Sequence, residues 1–250
     1  MSKIEPVYGL HAVQTILKTA PERVTALWVL AGREDQRLQK VLQLAQRQGI
    51  GCQPVGRKKL DALVQDENHQ GVVAMCRPGE IHDEAFLFAR LRALKEPAFL
   101  LALDGVTDPH NLGACLRSAA AAGVHAVIAP KDKAAGLNAI ARKVACGAAE
   151  VLPFVAVTNL ARTLNQLREE GVWAKGAAGE AETTVYQSDL TGPIVLVLGA
   201  EGSGLRRLTR ECCDELIKIP MHSAISSLNV SVAAGICLFE AVRQRQFGAA

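Results

Sequence analysis

Ile194-Val195-Leu196-Val197-Leu198, followed at once by Gly199-Ala200-Glu201-Gly202-Ser203-Gly204, is the stretch on which the fold turns. Five apolar residues without a polar alternation suit a strand covered on both faces, because neither side of it can meet water. The glycine-rich segment after it reads as a loop at the strand's carboxyl end. Working outward, Phe99 to Leu103 and Val124 to Ile128 predict further strands, while Leu112 to Ala122 and Leu137 to Ala149 predict helices. Leu160, Leu164 and Leu167 mark another helix, Leu205, Leu208 and Leu216 a packed one, and a long apolar helix runs through Phe239 and Val242. Strands alternating with helices predict an α/β fold with a mostly parallel open sheet. In that architecture ligands bind beyond the carboxyl ends of the strands.

The N-terminal part shows a smaller version of the alternation: Val13, Ile16 and Leu17 at helical spacing, a strand from Val24 to Leu30, then Leu38, Val41, Leu42 and Ala45, then a strand at Gly71 to Met75. The organisation read from this is a small α/β domain over 1–76, a connector over 77–97 and a larger domain over 98–250. Within the connector Phe86, Leu87, Leu91 and Leu94 recur at helical spacing, which predicts a short helix packed on one of the domains.

Composition narrows the function classes. The 250 residues are 49% hydrophobic and 21% charged, with 21 Gly and 10 Pro in no period, so neither a disordered nor a fibrous chain fits. The longest apolar runs fall far short of the roughly 20 residues a bilayer requires, and MSKIEPVYG has no signal-peptide core, so a soluble cytoplasmic protein is expected. Seven cysteines without a CxxC suit a reducing compartment and predict free thiols, most of them buried. The six histidines form no HExxH and no zinc spacing, so no metal is expected. The net charge of +3 lies entirely in residues 1–76, where Arg57-Lys58-Lys59 is either a solvated surface or a set of phosphate contacts.

Three polar loops follow apolar runs and carry the candidate chemistry. In Asp104 to Gly113, either Asp108 or Asn111 can cap the following helix, and capping explains only one of them. Arg117 is surrounded by Cys115, Leu116, Ser118 and the four alanines Ala119 to Ala122, an expensive place for a guanidinium unless it reaches water or an anion. Gly113, one turn earlier on the same face, leaves room for that guanidinium or for a ligand. In the second loop GAEGSG is not GxGxxG, and Glu201 would oppose a pyrophosphate, so a dinucleotide-dependent oxidoreductase is excluded. The third loop, Ile219 to Ser231, is dense in hydroxyls and carries Asn229 at a helix start.

Asp108-Pro109-His110-Asn111-Leu112-Gly113 with Arg117-Ser118-Ala119, then Leu198 to Gly204, then Ile219-Pro220-Met221 with Ser226-Ser227-Leu228-Asn229-Val230-Ser231, resemble in order the three motifs of the SpoU/TrmH family of RNA 2'-O-methyltransferases, of the SPOUT class. The resemblance spans nearly the whole chain. It implies an N-terminal L30e-like domain that grips RNA, and a catalytic SPOUT domain whose C-terminal chain threads a deep trefoil knot, a feature no periodicity reveals. The implied cofactor is S-adenosylmethionine, held by Leu198, Gly199, Ala200, Gly204, Ile219, Met221 and Leu228, with no metal. The implied catalytic set is Asn111, Arg117, Glu201, Ser227 and Asn229, and the implied RNA contacts are Arg57, Lys58 and Lys59 with Tyr8 and His69. The implied reaction is methylation of the ribose 2'-hydroxyl of guanosine 2251 in 23S rRNA by a homodimer. A tRNA guanosine 2'-O-methyltransferase, and a noncatalytic rRNA-binding or ribosome-assembly protein, stand as alternatives. Since a guanidinium is a poor proton acceptor, Arg117 is expected to bind a phosphate and steady the developing oxyanion, and Glu201 to orient Asn229 or a backbone loop.

Overall fold

The computed structural model describes residues 4–222 and 227–248. Two sheets organise the chain. The first is built from β1 (Glu5–Tyr8), β2 (Val24–Leu30), β3 (Cys52–Val55) and β4 (Val72–Cys76), with helices α1 (Leu10–Thr19), α2 (Gln36–Arg47) and α3 (Arg57–Leu63) between them. Its order is β1-β4-β2-β3, with β4 antiparallel to both neighbours and β3 parallel to β2. One face is covered by α1 and α2 through Val13, Ile16, Leu17 and Val41, and the other by α3 through Leu60 and Val64. The strands not foreseen are β1 and β3. Each contains a proline and lies at a sheet edge, where a missing backbone donor is tolerated.

Between the sheets, α4 (Glu84–Ala93) buries Leu87 against the second sheet. His82 fastens the chain just before it, donating its N–H to the Phe154 carbonyl and accepting from the Ala156 N–H, both at 2.9 Å. The helix predicted from Phe86, Leu87, Leu91 and Leu94 is thus present and docked.

The second sheet has seven strands in the order β7-β6-β5-β10-β8-β11-β9, and every neighbouring pair is parallel. They are β5 (Phe99–Asp104), β6 (Ala126–Pro130), β7 (Phe154–Val157), β8 (Trp173–Ala177), β9 (Thr183–Thr184), β10 (Ile194–Gly199) and β11 (Glu215–Lys218). Helices α5 (Pro109–Ala121), α6 (Ala139–Val144), α7 (Leu160–Glu169), α8 (Arg207–Glu211) and α9 (Val230–Phe247) lie among them. The apolar run at 194–198 is the fourth of these seven strands. Leu196 and Leu198 pack toward α5 and α9, and Val195 and Val197 toward α4 and α7, all within 2% of full burial. Each such side chain contributes roughly 1.5–3 kcal/mol of transfer free energy, which explains why the strand needs no polar residue.

Two predicted helices are altered. The one expected over Leu137 to Ala149 breaks after α6, because Cys146 and Gly147 take left-handed backbone at φ 51° and 90°, and only a 3-10 turn at Ala148–Glu150 follows. The packed helix expected from Leu205, Leu208 and Leu216 shrinks to the five residues of α8: Leu208 is exposed and Leu216 belongs to β11. The broken segment is also where the two domains meet. Glu150, nearly buried, accepts from Arg23 at 2.6 Å and from Arg142 at 3.1 Å, and Lys143 pairs with Glu67.

All seven cysteines are free. Cys76, Cys115 and Cys237 are buried, three are half-buried and Cys146 is exposed, fewer buried thiols than expected. Among the described residues no helix is long and apolar enough to cross a membrane, and no group of His, Cys, Asp and Glu is placed to hold a metal ion.

Candidate active site

The three polar loops meet at one point beyond the carboxyl end of β10. Asp108 is the N-cap of α5, accepting the His110 N–H at 2.9 Å, which leaves the Asn111 side chain free to turn inward. Asn111 Nδ2 donates to Glu201 Oε1 at 3.3 Å, and Asn111 Oδ1 accepts from Asn229 Nδ2 at 2.9 Å. Asn229 Nδ2 also donates to Glu201, whose Oε1 further accepts the Val230 N–H at 3.2 Å. Asn229 Oδ1 meanwhile caps α9, accepting the Ser231 N–H at 2.9 Å and the Ser231 hydroxyl at 2.6 Å. One asparagine therefore fixes a helix start and joins two loops. Glu201 Oε1 thus accepts from three N–H donors, two from side chains and one from the backbone.

Beside this cluster lies a cavity of about 530 Å³ whose walls include Leu198, Gly199, Ala200, Gly204, Ile219, Met221, Ser227 and Leu228. All seven residues assigned to the cofactor, and Ser227 with them, therefore face one space. Ser223 and Ser226 lie outside the described residues. Gly199 sets the shape: a Cβ there would overlap the Gly204 carbonyl, because the loop folds back with the Gly204 N–H donating to the Ala200 carbonyl at 2.9 Å. Gly202 and Gly204 turn the chain at φ 78° and 64°, where side chains are disfavoured. The walls offer apolar side chains and main-chain polar groups, a donor set suited to an adenosine moiety, and the volume falls within the range of small-molecule sites.

Arg117 does not join the cluster. It lies six residues beyond Asn111, about 9 Å further along α5, and its Nη1 donates to Cys146 Sγ at 3.5 Å. The space attributed to Gly113 is filled by protein rather than by a ligand or a guanidinium: a Cβ there would come within 2.5 Å of the Ala141 carbonyl and 2.7 Å of Val144 Cβ. Gly113 lets α6 approach α5, and Arg117 takes its place one turn on, past the end of α6.

In the N-terminal domain Arg57, Lys58 and Lys59 are exposed on α3, with Lys59 Nζ 5.5 Å above the Trp28 ring. His69 is buried, its Nε2 against Asp61 at 2.9 Å and its Nδ1 accepting the Gly71 N–H at 2.9 Å, so the ring braces its own loop. Tyr8 lies beneath Lys143 at 5.6 Å, at the join between domains. Sequence reading named neither the Arg117–Cys146 contact nor a partner for Asp104. Asp104 ends β5 fully buried and accepts the Arg206 N–H at 2.8 Å; its position immediately after an apolar strand was the available signal.

Comparison with known proteins agrees with this geometry. The family described as SpoU rRNA Methylase matches residues 98–239, and the one described as RNA 2'-O ribose methyltransferase substrate binding matches residues 6–82. The 23S rRNA (guanosine-2'-O-)-methyltransferase RlmB of Escherichia coli K12 is 59% identical over 241 residues, covering 96% of this chain and 99% of that protein. Its counterpart from Pseudomonas putida is 56% identical over 246 residues, covering 98% and 99%. Among solved structures, the SpoU methyltransferase AviRb of Streptomyces viridochromogenes in complex with the cofactor AdoMet superimposes with a TM-score of 0.79 at 25% identity, covering 98% of this chain and 91% of that one.

Proposed function

This chain belongs to the SpoU rRNA Methylase family, and from that premise we propose that it methylates the ribose 2'-hydroxyl of a guanosine in 23S rRNA, guanosine 2251, using S-adenosylmethionine. The observation that carries the reading is the convergence of Asn111, Glu201 and Asn229, from three chain-distant loops, at the rim of the cavity lined by Gly199, Ile219 and Leu228. The RlmB relatives, by name, act on guanosine in 23S rRNA.

The cofactor supplies an already activated methyl group on a sulfonium, so the protein's task is alignment and charge placement more than bond activation. Leu198, Ile219 and Leu228 supply apolar wall, and the backbone of residues 199–204 supplies hydrogen-bonding groups that close approach at Gly199 makes available. The Asn111–Glu201–Asn229 cluster fixes the mouth of the site, with Ser227 beside it. Arg117 binds an RNA phosphate next to the target ribose and steadies the charge that develops on its oxygen; the proton leaves through phosphate or water, because a guanidinium does not accept it. Arg57, Lys58 and Lys59 add phosphate contacts from the N-terminal domain, giving salt-dependent capture of a large folded RNA.

The same reading includes a knotted C-terminal chain and a cytoplasmic homodimer. Support for the dimer comes from α9, whose Val232 and Phe239, two turns apart on one face, are both about half exposed. The test is incubation of the purified protein with labelled S-adenosylmethionine and either undermodified 23S rRNA or tRNA, then mapping of the methylated ribose. Label at guanosine 2251 is expected. Label on tRNA instead would reassign the substrate, and no transfer to any RNA would overturn the enzymatic reading.

A further inference from the structure

The break between α6 and the 3-10 turn is a costly one. Cys146 holds left-handed backbone at φ 51°, a region that suits glycine and strains most other residues. Its neighbour at φ 90° is glycine, as that geometry favours. Position 146 nevertheless carries a side chain, and that side chain does one visible thing: its sulfur accepts Arg117 Nη1 at 3.5 Å. Among the described residues no other hydrogen bond and no salt bridge engages the Arg117 guanidinium. Strained non-glycine backbone tends to persist where function requires it, and here the strained residue touches the group assigned to the RNA phosphate.

The platform under the thiol is fixed from both sides. On the catalytic side α5 and α6 are held at close approach by Gly113, which sets the distance from Arg117's own helix to residue 146. On the other side a Cβ on Gly147 would lie 2.7 Å from Thr15 of α1, and Glu150, three residues further on, is clamped by Arg23 and Arg142. The choice of acceptor matters as well. A carboxylate at this point would form a charge-assisted bond and compete with phosphate for the guanidinium. A thiol is a weak acceptor, able to orient the guanidinium and release it at small cost.

We infer that Cys146 is the positioning residue for Arg117, holding the guanidinium in a defined orientation before RNA arrives and yielding it to the substrate phosphate. The inference rests on the reading of Arg117 given above. The holding contact lies within one subunit, so it serves Arg117 whichever subunit's site that residue enters.

The test compares the full-length protein with Cys146→Gly, Cys146→Ser, Arg117→Ala and the double variant Arg117→Ala/Cys146→Gly, measuring kcat, RNA KM and melting temperature. Glycine suits the left-handed backbone, so Cys146→Gly is expected to melt no lower than the parent yet lose about tenfold in kcat with little change in KM, the signature of a misplaced catalytic group. Serine, which keeps a short acceptor, restores most of that loss. In the Arg117→Ala background Cys146→Gly adds no further loss, because the residue it positions is gone. Full kcat in a folded Cys146→Gly protein, beside a strong loss in Arg117→Ala, overturns the inference and leaves the reading of Arg117 standing. An unimpaired Arg117→Ala overturns both. Should Cys146→Gly fail to fold, treatment of the parent with iodoacetamide replaces it: Cys146 is the exposed cysteine. Loss of turnover that Cys146→Ser escapes supports the inference, and unaffected turnover of the alkylated protein overturns it.

Discussion

Two irregular segments of the C-terminal domain, Gly199 to Gly204 and Cys146-Gly147, differ in how they use positive φ. At Gly199 to Gly204 the chain turns back on itself with glycine at the positions of positive φ, and the loop presents main chain to a cavity. At Cys146 and Gly147 it makes two successive left-handed steps with glycine at only one, and presents a sulfur to a guanidinium. Where the ligand is to be met by backbone, side chains are removed. Where a neighbouring side chain is to be held, one is kept despite the strain. These two segments are therefore devices with different tolerances, and substitutions should separate them.

The largest expected effect is at the first break. Gly199→Ala drives a Cβ into the Gly204 carbonyl, a backbone group that cannot rotate away, and should weaken S-adenosylmethionine binding about hundredfold, or about 3 kcal/mol, by titration calorimetry. Wild-type affinity would mean that the fold-back does not shape the cofactor wall. Next comes the clamp beside the second break. Glu150→Gln leaves Arg23 and Arg142 without their shared carboxylate in a nearly buried setting, at a cost of about 3 kcal/mol in urea unfolding with cofactor affinity unchanged. A loss of cofactor affinity there would erase the distinction between the two regions. Smaller again, Gly147→Ala combines a positive φ with the approach of Thr15 and should cost about 1–2 kcal/mol of stability in the same assay. No cost would show that the domain join gives way easily at this point.

The smallest effect is an acid limb at the same join. The hydrogen bond from Lys143 holds the exposed Glu67 carboxyl below its ordinary range. A group with a depressed folded-state pKa stabilises fully above its unfolded value, roughly pH 4.3 for glutamate, and the contribution fades as pH falls through the lower folded-state value. Carboxyl titration followed by NMR should place Glu67 below the ordinary value in the parent and move it upward in Lys143→Gln. An unmoved midpoint would mean that the pair contributes nothing to docking.

Much of this was legible beforehand, for a physical reason. The run Ile194 to Leu198 is buried on both faces, so its environment dictates its composition, and the same holds for Phe99 to Leu103. The loops that carry Asn111, Glu201 and Asn229 were legible because polar residues crowd the ends of such strands, whereas the choice of these three came from the resemblance to the SpoU/TrmH motifs. What escaped lies where the environment asks for less. The edge strands β1 and β3 carry prolines, and β8 begins with an exposed Trp173 and includes Lys175, so no apolar run marks them. Gly113 was misread because an absent side chain makes room for whatever comes, and sequence alone does not say that α6 comes. The break at Cys146 was missed because the alanines of 139–149 suit a helix and Gly147, the one local signal against it, was read as tolerated inside it.

The position of β10 between β5 and β8 carries a consequence for how the molecule is made. Both flanking strands are synthesised before it, so on the ribosome the growing domain holds β7, β6 and β5 with an unsatisfied edge at β5, while β8 has neither partner yet, since β11 follows later still. Closure waits for a hydrophobic ribbon encoded almost a hundred codons after its first neighbour, and such distant pairing is slow. During that interval the unclosed edges are the nascent chain's weakest point against misassociation.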